Sequence, residues 1–468
     1  MGGTERAVID AANPILLVDV VSISMVLLVS FIGAIVLRYA RTYLDGEARQ
    51  DQFLGWISMT LAAVTFLVMS GNTIQFLIAW ILTSLSLHKL LLFYPERMAA
   101  QRAARKKYIL ARTGDLALLF AVVLLWGAYN SIDIATITEL ARAGEGGRPA
   151  AFAAIMLAIA ALLKSGQFPT HSWLTEIMDT PTPTSALLHA GVINGGGFLL
   201  IRFADVLLQS PGTMAVIAMV GGFTALFGSI VMLTQPAVKT SLAWSTVAQM
   251  GFLIMQCGLG LFSLAMLHIV AHSLYKAHAF LASGGAVQRI ATIRRPGPVA
   301  IPNVRTVLLS FFVALGIYSA LSIVFGVTAE SPQSVALGAI LIFGVAYLLT
   351  QGMAADAPKP LARQLIITSV ITSLSYFLLH KGAMWLTAGT LPEAPAPGGL
   401  EWALILIAVA SFGAVAFAQA LFPLWAYHPA AGGFRVHVSN GFYINALFAR
   451  AIGSWKAASP VSNERVSS

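Results

Sequence analysis

The sequence is a succession of apolar runs, most of them close to 20 residues long, separated by short polar segments. A helix that crosses the hydrocarbon core of a bilayer needs about 20 mostly apolar residues, so each run predicts a membrane-spanning helix. Charged residues make up only 10% of the chain and hydrophobic residues 58%, whereas a soluble domain carries about 25% charged residues. The sequence therefore predicts an all-α polytopic membrane protein surrounded by membrane lipid.

About thirteen spans meet this length criterion. They cover residues 15–37, 54–71, 74–93, 113–129, 150–166, 184–208, 214–234, 241–257, 262–284, 306–327, 333–353, 364–387 and 402–425. No small-residue cleavage site closes the first run, so we interpret it as a retained helix rather than a signal peptide. We expect residues 1–425 to form one transmembrane domain and residues 426–468 a polar tail.

Basic residues concentrate in two loops that fall on the same side of the membrane when the spans are counted through. The loops contain Arg97, Arg102, Arg105, Lys106, Lys107 and Arg112 in the first and Arg289, Arg294, Arg295 and Arg305 in the second. The positive-inside rule predicts that this side is cytoplasmic, which places the N-terminus outside and the C-terminus inside. The same rule accounts for the net charge of +9, and we predict no nucleic acid partner.

The sequence offers little that could hold a metal or redox centre. Its single cysteine, Cys257, excludes a disulfide within the chain. There is no CxxC motif and no His/Cys cluster with the spacing of a zinc, iron–sulfur or c-type haem site. We predict that this chain holds no metal and no cofactor.

Lys164 lies where hydrocarbon is expected, near the end of the run 150–166. A lysine at the bilayer centre costs about 2.5–3.5 kcal/mol on insertion scales, so it needs a partner, a water-filled cavity or a helix end. One interpretation is that the side chain extends to the membrane surface. The alternative is a functional site inside the protein.

The residues that follow Lys164 favour the functional site. Gly166 and Pro169 interrupt the helix, and Pro181 and Pro183 start a second helix that carries His189. A broken helix at membrane depth is tolerated where it lines a cavity or is buried in protein. The pattern therefore predicts a polar cavity between two half-helices.

A second group of ionisable residues occupies one helical face of the run 262–284. His268, His272 and Lys276 are spaced i, i+4 and i+8, so they lie on one stripe. Histidine relays protons near neutral pH, so the stripe is a candidate proton pathway; the alternative, a metal site, lacks an accompanying carboxylate or cysteine. Lys239, at the start of the preceding span, either belongs to the pathway or extends to the membrane surface.

These stretches resemble three motifs of the antiporter-like subunits of respiratory complex I and of multisubunit cation/proton antiporters. The first motif matches Lys164, Gln167, Pro169, Trp173, Pro181, Thr182, Pro183, Ser185, Ala186, Leu187, His189 and Ala190; the second matches Lys239, Ala243, Ser245, Thr246, Gln249, Gly251 and Phe252; the third matches His268, His272, Lys276, Ala277, Phe280, Leu281, Ser283 and Gly284. The resemblance implies a proton-translocating fold of two inverted five-helix repeats, about residues 54–208 and 214–387, each with a broken helix.

The chain departs from this family pattern near the lysines. Ile81 stands where complex I relatives have an acid paired to the channel lysine, and the span 306–327 lacks the lysine normally found on the second broken helix. Asp115 and His88 are then the candidates for the group that interacts with Lys164. The proton channel implied by the resemblance is therefore partly remodelled.

Residues 80–97 and 171–206 look most like the DabB family, the membrane subunits of the dissolved inorganic carbon accumulation complex. The resemblance implies a location in the bacterial inner membrane and a partner, DabA, which is a large zinc-dependent protein related to β-carbonic anhydrases. It also implies that cation flow, with the proton as the expected ion, energises one-way conversion of CO2 to bicarbonate in that partner. This chain is then a transporter subunit and not an enzyme.

Two other functions stay open on the sequence. One is an antiporter-like subunit of respiratory complex I or of a cation/proton antiporter, and the other is a non-conducting scaffold that anchors a soluble enzyme. The acid missing at Ile81 is the feature that keeps the scaffold open. In the tail, residues 439–455 alternate apolar and polar side chains at helical spacing, which predicts an amphipathic helix on the membrane or against a partner.

Overall fold

The computed structural model describes residues 15–285, 302–326, 330–354, 358–425 and 428–453. The α-helices in these ranges are α1 (Val20–Tyr43), α2 (Gln50–Val68), α3 (Thr73–Leu91), α4 (Met98–Tyr129), α5 (Ile134–Arg142), α6 (Gly147–Lys164), α7 (Ser172–Glu176), α8 (Thr182–Ala190), α9 (Gly195–Arg202), α10 (Ala204–Leu208), α11 (Pro211–Met232), α12 (Val238–Gly258), α13 (Phe262–Ala282), α14 (Val304–Val324), α15 (Pro332–Met353), α16 (Lys359–Thr387), α17 (Gly399–Ala420), α18 (Phe422–Trp425), α19 (Gly432–Ser439) and α20 (Ile444–Ala451).

Within the described ranges, eleven helical segments are long and apolar enough to cross a membrane, α8 and α9 counting together as one. The helices α12 and α13, of 21 residues each, coincide with the two remaining predicted spans. Both helices carry polar residues among their apolar ones: Lys239, Gln249 and Gln256 in α12, and His268, His272 and Lys276 in α13. The prediction of an all-α, multi-pass membrane protein is confirmed.

The first basic loop is not a loop. The helix α4 begins at Met98 and runs for 32 residues, so most of the basic residues expected at the membrane surface lie on its first turns. Two of them, Lys106 and Lys107, are buried. In the second basic loop, residues 286–301 lie outside the described residues, and the two inverted repeats stay a prediction.

Two ion pairs hold the end of α9 and the short helix α10 against neighbouring helices. Arg202 Nη1 lies 2.6 Å from Asp19 Oδ2, at the residue that caps α1. Arg142 of α5 binds Asp205 through two contacts of 3.0 Å. Burial raises the pKa of Asp19, but the Arg202 guanidinium outweighs it and holds that pKa below its usual value. This pair therefore stays charged at neutral pH.

The interruption that the sequence predicts lies between α6 and α9, in the first half of the chain. In the second half, α14, α15 and α16 each run without a break. A second broken helix, which the family resemblance implied, is not found among these three described helices. Their common core includes Tyr318, Ile342 and Phe377.

The tail does not form one amphipathic helix over residues 439–455. It forms the short helices α19 and α20, separated by a turn in which Gly441, Phe442 and Tyr443 all have positive φ angles of 50–60°. A left-handed turn of three residues cannot continue a right-handed helix. The prediction of one helix is wrong over the described part, and residues 454–468 lie outside it.

The helices α11 and α12 pack at close range because glycines face one another. A Cβ atom added at Gly251 of α12 would lie 2.7 Å from the backbone oxygen of Gly221 and collide with the backbone of Ala225. Gly228 and Gly258 extend the same contact along the two helices. Small residues let membrane helices approach closely, so backbone contact stabilises this pair.

We expect Gly251→Val to lower the stability of the folded protein by about 1–3 kcal/mol or more, because the colliding atoms belong to a backbone that cannot move aside. Gly127→Val, also within a helix, is the matched control, since a Cβ atom there has nothing within 4 Å. The measurement is the thermal unfolding of detergent-solubilised protein by size-exclusion chromatography. Equal loss in the two variants would contradict the close packing.

Candidate functional site

The interruption after α6 places backbone without helical hydrogen bonds next to Lys164. The helix ends at Lys164, and Gly166 follows with a φ angle of +60°, which a residue with a side chain rarely adopts. Pro169 lies in the irregular segment before α7. Pro181 precedes α8 and Pro183 lies in its first turn, where a proline needs no hydrogen-bond partner.

The Lys164 ammonium group is held by uncharged groups from α3. Its Nζ donates a hydrogen bond of 2.9 Å to Ser84 Oγ and lies 4.3 Å from the centre of the Trp80 ring. An ammonium group over a tryptophan face is attracted by the ring quadrupole. Among the described residues, no carboxylate lies within ion-pair distance of Lys164.

Lys107 is a second buried lysine that binds the same serine. Its Nζ donates to the backbone oxygen of Ser84 at 2.5 Å, and the residue is only 6% exposed. The sequence analysis missed it because it assigned Lys107 to a surface loop. The available signal was the spacing of Ala100, Ala103 and Ala104, which lie seven, four and three residues before Lys107 on one helical face.

The neighbouring Lys106 anchors the interrupted segment. Its Nζ lies 2.6 Å and 2.8 Å from the two carboxylate oxygens of Glu176, the last residue of α7. The pair joins α4 to the short helix inside the interruption, at the end of the bundle opposite Asp19. Ion pairs therefore hold α7, inside the interruption, and the far end of α9 beyond it.

Asp115 has Arg112 as its contact partner rather than Lys164. Its Oδ2 lies 2.6 Å from Arg112 Nη2, one turn earlier on α4. Lys164 and Lys107 are nearby cations that act on the same carboxylate. Asp115 thus belongs to the electrostatic surroundings of Lys164 without binding it directly.

The two predicted residues His88 and Lys239 lie at the margin of this group. The ring of His88, in the last turn of α3, is 5.3 Å from the ring of Tyr108. Lys239 lies in the first turn of α12 and is partly exposed. No described hydrogen bond, ion pair or ring contact joins Lys239 to the other predicted site residues.

His189 and His272 meet through the backbone. His272 Nε2 lies 3.1 Å from the backbone oxygen of His189, and since a carbonyl oxygen only accepts, that nitrogen carries the hydrogen. The His189 ring stacks on Phe280 at 4.4 Å, and neither of its nitrogens has a hydrogen-bond partner among the described residues. The structure therefore brings α8 and α13 together at two buried histidines.

The other two residues of the α13 stripe continue from His272 in opposite directions. The His268 ring lies 5.8 Å from that of His272, and Lys276 Nζ donates to the backbone oxygen of Leu242 at 3.0 Å. Lys276 is fully buried. Within the described ranges, no three His, Cys, Asp or Glu side chains are arranged to hold a metal ion.

A cavity lies between Lys164 and α13, where Ile269 and Ser273 line it. It has a volume of about 50 Å³ and is lined by Lys164, Thr83, Asn194 and Ser273 among apolar side chains; one water molecule needs about 10–15 Å³ by this measure. Asn194 Nδ2 donates to Ser273 Oγ at 2.9 Å, beside His272. The arrangement places the Lys164 amine and Ser273, the residue after His272, on the same cavity.

One buried histidine was missed altogether. His171, within the interruption, is fully buried, and in the part of the chain that the structure describes neither ring nitrogen has a hydrogen-bond partner. Its ring lies among the rings of Phe168, Phe227 and Trp244, at 5.2–5.9 Å. Phe442 of the tail contacts Phe227 at 6.0 Å. Position 171 carried no signal in the sequence beyond its place between the two proline clusters.

Comparison with known proteins gives consistent results. Residues 70–331 match the family model described as NADH:quinone oxidoreductase/Mrp antiporter, TM. The chain is 36% identical over 423 residues to the "Probable inorganic carbon transporter subunit DabB2" of Halothiobacillus neapolitanus, covering 89% of this chain and 76% of that protein. It is 41% identical over 296 residues to the "Probable inorganic carbon transporter subunit DabB" of Hydrogenovibrio crunogenus, covering 62% of this chain and 56% of that protein.

Among solved structures, a chain of the Mrp complex from Dietzia sp. DQ12-45-1b is similar with a TM-score of 0.60. The two chains are 21% identical, and the match covers 94% of this chain and 52% of that chain. At this identity the likeness supports the fold. The chain thus spans only part of the length of the proteins it matches.

The burial of Lys107 is testable by chemical labelling. In a Cys257→Ser background, we expect Lys107→Cys to resist a membrane-impermeant maleimide, because α3 covers this position. Arg105→Cys, two residues earlier on the exposed face of α4, is the control and is expected to react. Both variants should react after unfolding in SDS. Equal labelling of the folded variants would place Lys107 in a surface loop.

Proposed function

We propose that this chain is the proton-conducting, energy-coupling subunit of an inorganic carbon accumulation complex, because it belongs to the NADH:quinone oxidoreductase/Mrp antiporter family and, within it, to the group of transporter subunits named DabB. The observation that carries the proposal is the placement of Lys164 at a helix interruption. There it shares a cavity with Asn194 and Ser273, next to the α13 histidines.

The proposed path starts at the pair of lysines on Ser84. Lys164 binds a hydroxyl group and an aromatic face, so its side chain is free to exchange partners. Lys107 and Lys164 bind one serine, and two positive charges this close repel each other strongly in a medium of low dielectric constant. A proton arriving at one amine therefore favours release from the other. Asp115 supplies a negative charge nearby, and His88 lies at the margin of this group.

The path continues through the cavity to the histidines. The cavity is large enough for water, and we propose that water there connects Lys164 with Asn194 and Ser273, next to His272. An imidazole that accepts a proton on one nitrogen and releases one from the other moves charge across the ring. His272 and His268 lie in line for such a transfer, with His189 and Lys276 beside them. Lys239, in the first turn of α12, is proposed to lie at one end of this path.

The proposed partner is a large zinc-dependent subunit related to β-carbonic anhydrases, the DabA of this family. Hydration of CO2 to bicarbonate releases a proton, so a membrane subunit that moves protons suits that reaction chemically. The zinc site is then in the partner, and this chain is no enzyme. We place the complex in the bacterial inner membrane, with the N-terminus outside and the C-terminus in the cytoplasm, on the positive-inside rule.

A second candidate is a subunit of a respiratory or cation/proton antiporter complex. The family match and the likeness to a chain of the Mrp complex favour it. The neighbouring genes distinguish the two: a companion gene for a large zinc-binding protein supports carbon accumulation. A cluster of genes for other membrane subunits supports the antiporter.

The first functional test is Lys164→Ala. We expect the variant to abolish growth that depends on accumulated inorganic carbon, because the cavity loses its only amine, while the protein still reaches the membrane with its partner. Lys89→Ala, at an exposed lysine of α3, is the control with unchanged growth. Growth of Lys164→Ala in air at the wild-type rate would favour the non-conducting scaffold.

The second test concerns the α13 stripe. We expect His272→Ala and Lys276→Ala to stop bicarbonate accumulation while the partner still copurifies, since both residues are buried inside the bundle. His278→Ala, on the exposed side of the same helix, is the matched control. Normal accumulation in both buried variants would exclude this stripe as the ion path.

A further inference from the structure

A second cluster of ionisable residues lies on the other side of the protein, between α14, α15 and α16. Glu330, just before α15, accepts from Lys381 Nζ at 2.7 Å through Oε1. Its other oxygen, Oε2, lies 2.7 Å from His380 Nε2. One carboxylate thus stands between two nitrogen groups of α16.

The two partners of Glu330 differ in their access to the surface. His380 is fully buried, whereas the side chain of Lys381 is 39% exposed. On its inner side, His380 Nδ1 lies 3.3 Å from the Tyr376 hydroxyl. The His380 imidazole therefore has the Glu330 carboxylate beside one nitrogen and the Tyr376 hydroxyl beside the other. The same carboxylate also contacts Lys381, which is partly exposed.

The surroundings of His380 add one more titratable group. Tyr318 of α14 is close enough to interact with Glu330, while α15 contributes apolar residues such as Val345 to this core. The helix α13 faces α16 with the uncharged Ser263. Two arginines of α1, Arg38 and Arg41, lie near the C-terminal end of that helix. Asp19, at its N-terminal end, forms an ion pair with Arg202.

A purely structural role explains this cluster poorly. The free energy that a buried ion pair gains from Coulomb attraction is about equal to the free energy that its desolvation costs. Apolar residues at these positions would therefore stabilise the helices equally well. Burial raises the pKa of Glu330, but His380 and Lys381 outweigh it and hold that pKa below its usual value. The carboxylate is therefore ionised at neutral pH, with Oε2 beside the buried imidazole.

The buried face of α16 connects the cluster with α13. This face carries four buried polar residues, Ser369, Ser373, His380 and Thr387, whereas the exposed face of the helix is apolar. Thr387 Oγ1 donates to Ser263 Oγ of α13 at 2.7 Å, five residues before His268. His380 lies seven residues before the end of α16, a depth of about 10 Å at 1.5 Å per residue.

We propose that Glu330, His380 and Lys381 form a second protonatable site, which exchanges protons between the bundle end at which α1 begins and the polar face of α13. The inference rests on the proposed proton conduction and adds the place where the path reaches that surface.

In the transfer step, protonated His380 passes its Nε2 hydrogen to Glu330 Oε2. The N–H bond breaks, an O–H bond forms, and the neutral imidazole keeps its hydrogen on Nδ1, facing the Tyr376 oxygen. The O–H bond of Glu330 then breaks and the proton passes to solvent beside Lys381. The carboxylate that remains is stabilised by its ion pair with Lys381.

The test compares Glu330→Gln and His380→Gln with the wild type in the complex with its partner, measuring inorganic carbon uptake against external pH. We expect both variants to lose at least about tenfold in rate, since positioned proton-transfer groups contribute about 10²–10⁴-fold in catalysis, and to lose the wild-type pH profile. Asp205→Asn, which removes a buried ion-paired carboxylate at the same end of the bundle, is the control and keeps the profile.

Wild-type rates and profiles in both variants would overturn the proposal and leave a structural ion pair. If either variant fails to assemble with the partner, Tyr376→Phe decides, because it removes one hydroxyl and keeps the ring; an unchanged rate and profile there would also overturn it. Lys164→Ala separates the two claims. If it is inactive while the Glu330 and His380 variants are normal, only this second site is wrong; if it is active, proton conduction itself is wrong.

Discussion

The cost of placing an amino group away from water governs the arrangement of this protein. Hydrocarbon offers no hydrogen-bond partners, so each buried lysine must find an acceptor within the chain. Lys164 and Lys107 use the hydroxyl and the carbonyl of Ser84, and Lys276 uses the carbonyl of Leu242. Acceptors of this kind come from backbone and small side chains, which explains why the bundle can bury several amines with few carboxylates.

Two ion pairs hold the segment that follows Lys164. The pair Lys106–Glu176 fixes α7, inside the interruption, and the pair Arg202–Asp19 fixes the far end of α9. Between these anchors lie the short helices α8 and α9, so the backbone around the cavity is held at both sides. The ion pairs therefore act on the site indirectly, by holding the backbone that surrounds it.

The spans, and the interruption at Gly166 and Pro169, could be predicted because hydropathy and helix-breaking residues are local properties of the sequence. The partner of each buried charge could not, since it depends on which helices become neighbours. Lys107 was assigned to a loop because the first eleven residues of α4, which precede Ile109, are too polar to be recognised as part of a membrane span. Asp115 was matched with Lys164, whereas the nearer Arg112 is its contact partner.

The resemblance to complex I subunits implies an acid at the position that Ile81 occupies, and in this chain Lys164 is held by other groups. The Trp80 ring and Ser84 hold the lysine without a full negative charge, while a carboxylate with two cationic neighbours appears at Glu330, near the other surface. An amine among neutral groups releases its partners easily, and a carboxylate between a buried imidazole and an exposed ammonium group can alternate between them. The two halves of the bundle thus use different groups to offset the free-energy cost of burying a charge. On the proposed path, a proton would pass from an amine to an imidazole and then to a carboxylate.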